Sequence, residues 1–186
     1  MTSLATQNSL LLNKLLEYYN EDNNLQKILT IINGESEISL RLIDWFATNY
    51  SKKNFTVYNL KRSDGTPYRF KVYIDYKLKL KAYSKKRFDP FCRWERINIP
   101  YKDNMEIQTT IGQLNFFRWA LENKILDYIE KNVESINNDM NKRNSTSKKK
   151  KLVKEKVKTR KKREELSVSA SKSIKKEQIE IIVDFK

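Results

Sequence analysis

Apolar positions recur at helical spacing at both ends of the first 140 residues and alternate in the middle. Leu4, Leu11, Leu15 and Tyr18 predict a helix over 3–20, with Ser3 as a cap. Leu25, Ile28, Leu29 and Ile32 predict a second over 23–32, closed by Asn33-Gly34. Ile38, Leu42, Trp45, Phe46 and Asn49 share a face of a third, over 36–50, after which Ser-Lys-Lys-Asn reads as a break. The period then falls to two. Residues 55–61 alternate, and Ser63-Asp-Gly-Thr-Pro67 is a turn signal. In Tyr68–Tyr83 the even positions read Tyr, Phe, Val, Ile, Tyr, Leu, Leu, Ala, and the odd ones Arg, Lys, Tyr, Asp, Lys, Lys, Lys, Tyr. That pattern predicts a hairpin from 55 to about 82, with an apolar face for the core and a basic face outside, although sixteen residues is long for one strand. Arg93–Ile99 reads as a further strand ended by Pro100.

The strongest helical pattern is 111–136. Leu114, Phe117, Leu121, Ile125, Tyr128 and Asn132 form one stripe, widened by Ile129, Val133 and Ile136, with Thr110 as cap. Gly112 in the first turn costs little there. Beyond Asn138 the apolar pattern stops, and the tract is expected to be disordered when free, though its lysine-rich middle is able to turn helical against a partner. The chain closes on EQIEIIVDFK, a strand-like stretch suited to a sheet edge or to a terminal recognition peptide. The expected fold class is therefore α+β: N-terminal helices, a central antiparallel sheet with a long basic-faced hairpin, one long amphipathic helix, and a disordered basic C-terminal tail. The expected divisions are a globular domain over 1–138, a basic tail over 139–175 and a strand-like segment over 176–186.

Charge changes what this fold is expected to meet. The 186 residues carry a formal charge of +15. Residues 141–186 hold 17 Lys/Arg against 6 Asp/Glu, and residues 1–140 hold 21 against 17. Such an excess points to polyanions, with nucleic acid first, an anionic membrane surface second and an acidic protein third. There is no histidine and one cysteine, Cys92, which removes Ser-His and Cys-His nucleophilic pairs and Cys/His zinc sites within one chain. No run approaches transmembrane length, and the N-terminus lacks the basic start of a secretion signal. Cys92, beside Arg93, has cationic neighbours that favour a thiolate, but reads better as a small buried residue next to Phe91. Ser167, Ser169, Ser171 and Ser173 are candidate phosphorylation positions.

Two regions carry the expected nucleic-acid contacts. Residues 61–96 hold 12 Lys/Arg, four acids and eight interleaved aromatics. Arg69, Lys71, Lys77, Lys79, Lys81, Lys85, Lys86 and Arg87 are expected at phosphates, where lysine binding releases counterions. Tyr73 and Tyr83 are expected to stack on bases or to pack. In the tail the runs Lys148, Lys149, Lys150, Lys151 and Arg160, Lys161, Lys162, Arg163 add non-specific affinity. The competing explanation is a solvated edge strand kept from aggregating by lysine, with a solubilising tail. The expected function is non-catalytic binding of DNA or RNA, without a cofactor or metal. An alternative is a structural or assembly protein whose basic surfaces meet acidic proteins or membrane. A second is a Mg²⁺-dependent nuclease, since Asp75-x-Lys77 on a strand would share a face, with Asp64 as a further carboxylate.

Ile38–Asn54, Ala82–Ile97 and Thr109–Ile129 resemble a protein found in nucleocytoplasmic large DNA viruses, the giant-virus group. The abundance of Lys, Asn and Ile, 28, 18 and 17 residues, is similar to mimivirus-type proteins. The resemblance covers roughly 36–135, carries over no functional residue, and implies a late viral protein of a cytoplasmic factory or virion.

Overall fold

The structure, a computed structural model, describes residues 6–21, 23–91, 95–101, 105–153 and 175–178, with backbone alone for Met105, 144–153 and 175–178. Helix α1 (Gln7–Asn20) starts one turn later than the leucine pattern suggests. Its cap is Thr6, whose side chain accepts from Ser9 N at 3.2 Å. Helix α2 (Asn24–Ile32) buries Ile28, Leu29, Ile31 and Ile32, and Gly34 follows at φ +77°. Ser39 caps α3 (Leu40–Trp45). The helix then widens into a π-helical turn (Phe46–Tyr50) and runs on as α4 (Ser51–Lys53), through the expected break. Ser51 is buried, with its hydroxyl on Ala47 O, and so continues the helix instead of ending it.

Strands β1 (Val57–Lys61) and β2 (Pro67–Lys71) form an antiparallel hairpin, with Tyr58 opposite Phe70 and Leu60 opposite Tyr68. Asp64 Oδ1 accepts from Thr66 N at 2.8 Å, and Gly65 takes φ +83°, so the turn is built as its residues predict. The strand does not continue to Tyr83. From Val72 to Phe88 the chain is helix α5. The pattern allowed both: Val72, Tyr76 and Leu80 are spaced by two residues doubled, which is also i, i+4, i+8 of a helix. Length decides, because a strand of sixteen residues would run far beyond any partner, whereas a helix packs onto its neighbours. Ser84, at φ 63° and ψ 168°, kinks α5 one turn before its end.

Strands β3 (Arg96–Pro100) and β4 (Met105–Thr110) form a second antiparallel pair, with Ile99 opposite Ile107. The sequence pattern predicts no strand at β4, whose alternation spans only Ile107 and Thr109 before a helix cap. Lys175–Gln178, β5, adds to the free edge of β4, with Met105 opposite Gln178. This strand overlaps the first residues of the expected strand-like segment, Lys176 to Gln178, and pairs them to a sheet edge; residues 179–186 lie outside the described residues.

The expected helix 111–136 is three helices: α6 (Ile111–Glu122), α7 (Ile125–Lys131) and α8 (Val133–Val153). Lys124 at φ +52° separates the first two, and Asn123 and Asn132 each donate a side-chain hydrogen bond back to the carbonyl four residues earlier. The stripe survives the breaks, since Leu114, Phe117, Ile125, Ile129 and Ile136 are all fully buried. Helix α8 also crosses the expected boundary at residue 138. Asp139 ties it back to the domain by accepting from Trp45 Nε1 at 3.1 Å and from Lys53 Nζ at 2.5 Å, and Arg143 Nη1 donates to Asn49 Oδ1 at 3.0 Å.

Helix α6 is the centre of the molecule. Nine of its twelve residues are buried, and Tyr19 OH donates across to Leu114 O at 2.6 Å. Tyr76, Phe88, Phe116 and Trp119 form one aromatic cluster with ring centroids 5.6–6.5 Å apart, joining α5 to α6. Gly112 lets the two helices approach. A Cβ there would lie 2.9 Å from Lys86 O and 3.1 Å from Asp89 O, so the residue that a first-turn position tolerates is in fact required by packing.

Candidate functional site

The basic surface is built on β2 and α5. At 100° per residue, α5 turns Val72, Tyr76 and Tyr83 inward and leaves two adjacent ridges outward. One is apolar, Ile74 and Leu78; the other is basic, Lys77 and Lys81. Tyr73 and Leu80 flank the lysines on the far side, so six side chains enclose a shallow open groove of about 460 Å³. Lys71, Lys77 and Lys81 are exposed and Lys79 is half-buried. Beyond the kink, Lys85 is exposed in the last turn. Among the described residues, none of Arg69, Lys71, Lys77, Lys79, Lys81 or Lys85 is ion-paired.

Asp75, the single acid on the predicted basic face, is turned away from Lys77 and Lys81. Its Oδ1 accepts from Trp119 Nε1 at 2.6 Å, which satisfies the buried indole. The helix also removes the geometry assumed for Asp75-x-Lys77. Two residues apart is about 200° around a helix, so the carboxylate and the amine do not share a face. Asp64 is engaged in its own turn, where the Thr66 hydroxyl and N–H hold its carboxyl below the usual range. No group of three metal-ligand side chains occurs among the described residues.

Other expected contacts have structural duties. Arg87 is half-buried, and its guanidinium donates to Asn8 Oδ1 at 2.7 Å and Gln7 Oε1 at 3.1 Å, pinning α1 to the end of α5. Tyr83 packs parallel to Phe88, with centroids 6.1 Å apart, and Tyr73 lies under Lys52, whose Nζ is 5.6 Å from the ring centroid. Both tyrosines pack rather than stand free as stacking platforms. Lys86 lines a smaller pocket with Asn8, Ser84, Arg87, Glu95 and Ile111. The backbone of Lys148–Lys151 is part of α8, while Arg160–Arg163, Cys92, Arg93 and the serines 167–173 lie outside the described residues.

Four residues beside this surface were not anticipated. Lys52 was read as part of a break. Ile74 and Leu78 were assigned to the core because a strand would have buried every even position. Phe55, placed on the predicted strand, instead precedes it at φ 48° with 85% of its surface exposed. Its neighbour Thr56 accepts from Val72 N at 3.3 Å, which sets Phe55 beside the first turn of α5.

Asp44 of α3 is half-buried and lies near Tyr76, on the inner side of α5. Burial, with a smaller contribution from the Asp89 carboxylate, pushes the Asp44 carboxyl up to about 7.

Residues 3–185 match the model of a family described as "Family of unknown function (DUF7197)". The chain belongs to this family. It is also 47% identical over 129 residues to the uncharacterised protein L507 of Acanthamoeba polyphaga mimivirus, an alignment covering 67% of this chain and 49% of that protein. The chain thus spans about half the length of the curated relative it matches, and the resemblance to giant-virus proteins holds. No solved structure matches it significantly. Among the described residues no helix is long and apolar enough to cross a membrane.

Proposed function

We propose that this protein binds nucleic acid through the phosphate backbone, without catalysis, using the outward lysines of β2 and α5 together with the basic chain that continues from α8. The observation that carries the reading is the run of amines at Lys71, Lys77, Lys81 and Lys85. They have no acidic partner among the described residues, and the only nearby carboxylate within α5, Asp75, is committed to Trp119. Such amines exchange counterions for phosphates at little structural cost. The tail extends the same charge: 17 Lys/Arg lie beyond residue 140. Packing of Tyr73 and Tyr83 argues for backbone contacts instead of base stacking, and so for weak discrimination between sequences and between single and double strands. A place in the virion or in a cytoplasmic factory belongs to the same proposal.

The test is a titration of single- and double-stranded DNA and RNA at several salt concentrations. The expected result is binding at low salt that weakens steeply as salt rises, with similar affinity for both strand forms. The absence of any shift of a labelled probe at low salt would end this reading.

A further inference from the structure

The exchange of strand for helix has a chemical consequence. Of the even positions in the alternating stretch, Val72 and Tyr76 went into the core. Ile74 and Leu78, one helical turn apart, were left outside, 53% and 60% exposed. Isolated apolar residues on a surface need no explanation, but these two form a ridge on one helix. Lys77 and Lys81 stand between that ridge and Tyr73 and Leu80. The lysines therefore rise from within an apolar strip and do not merely border it. This is the arrangement in which a lysine stem lies along apolar surface while its amine reaches outward to an anion.

We infer that the outer face of α5 is a peripheral docking surface for an anionic lipid bilayer, in which Ile74 and Leu78 enter the boundary between headgroups and acyl chains while Lys77 and Lys81 reach lipid phosphates and carboxylates. Charge complementarity selects this occupant. A neutral apolar protein groove would leave two amines unpaired, and nucleic acid alone would leave two large aliphatic side chains against a charged backbone. A bilayer interface satisfies both within one turn of helix. The regular part of α5, Val72–Tyr83, is about 18 Å long and lies along the surface without crossing it. Phe55, beside the first turn, is a further apolar group at that end. The inference shares Lys77 and Lys81 with the nucleic-acid reading, but it depends besides on aliphatic side chains that phosphate binding does not use, and those side chains tell the two apart.

The test is co-sedimentation of the full 186-residue chain with phosphatidylcholine vesicles prepared with and without phosphatidylserine, for wild type and for Ile74→Ser/Leu78→Ser. Both substitutions are at exposed positions, and an unchanged thermal melt confirms the fold. Wild type is expected to partition onto the phosphatidylserine vesicles and weakly onto phosphatidylcholine alone. The double variant is expected to lose about tenfold or more of that partition, from the lost apolar burial. Lys77→Ala/Lys81→Ala is expected to lose a similar factor, at about 1 kcal/mol per lysine. Failure of wild type to bind the phosphatidylserine vesicles overturns the inference. So does a double variant that binds as wild type does, since the basic tail alone would then account for attraction. Loss of DNA affinity with unchanged vesicle binding in that variant also overturns it, and assigns the ridge to nucleic acid.

Discussion

Helices α5 and α6 share an aromatic cluster but use their apolar residues in opposite ways. In α6 nearly every side chain has a neighbour: Phe116, Phe117, Leu114 and Ala120 are fully buried, and even Gln113 and Asn115 are enclosed. In α5 only Val72, Tyr76 and Phe88 are buried, and two large aliphatics face outward with the lysines. Similar apolar content thus does two jobs. One helix is a core around which the others pack, and the other is a wall whose outer side is left over from folding and available for a partner. Substitutions should divide along this line, with stability lost at α6 and binding lost at α5.

The largest effect is expected at Phe116→Ala. Removing a fully buried ring from the cluster that joins the helices should cost about 3–5 kcal/mol in a denaturant melt. A loss below about 1 kcal/mol would mean that α6 is not central.

Asp44→Asn addresses the inner side of α5 through pH. The carboxyl's folded pKa, about 7, is above its unfolded value near 3.9. The folded state therefore holds this proton more tightly. Its penalty is absent below about pH 4, grows as pH rises, and is complete above about pH 7. The variant should be more stable than wild type at pH 8, by on the order of 2–3 kcal/mol, with the difference shrinking toward pH 4. An equal gain at both pH values would remove ionisation as the cause.

Gly112→Ala should cost about 1–3 kcal/mol, because its methyl meets backbone carbonyls of the α5 end that cannot swing aside. Smallest of all, Ile74→Ser/Leu78→Ser should change stability by about 0.5 kcal/mol or less, as expected for exposed positions away from caps and turns. A large loss there would place the ridge in the core and dissolve the contrast between the two helices.

Local chemistry was legible where one residue does one job. Thr110 caps its helix, Asp64-Gly65 makes the hairpin turn, and Leu114, Phe117, Ile125, Ile129 and Ile136 of the stripe are buried as their spacing implies. Tertiary packing decided the rest. An alternating run contains an i, i+4, i+8 series, so Val72, Tyr76 and Leu80 fit either period, and only their neighbours in α6 select the helix. β4 is too short to announce itself without β3 and β5 beside it. Of the candidate site, the identity of the outward lysines was legible. The commitment of Asp75 to Trp119 and of Arg87 to Asn8 was not, because each depends on a contact with a residue more than forty positions away.

The central claim is that the outward lysines of α5 meet phosphates. It is tested most directly by the salt dependence of DNA affinity for wild type and for Lys71→Ala/Lys77→Ala/Lys81→Ala/Lys85→Ala. Each phosphate contact contributes about 0.9 to the slope of log K against log salt on duplex DNA. The predicted result is weaker binding and a slope shallower by about 3.6, with an unchanged melt. A variant with wild-type affinity and slope would contradict the claim and leave any binding to the tail.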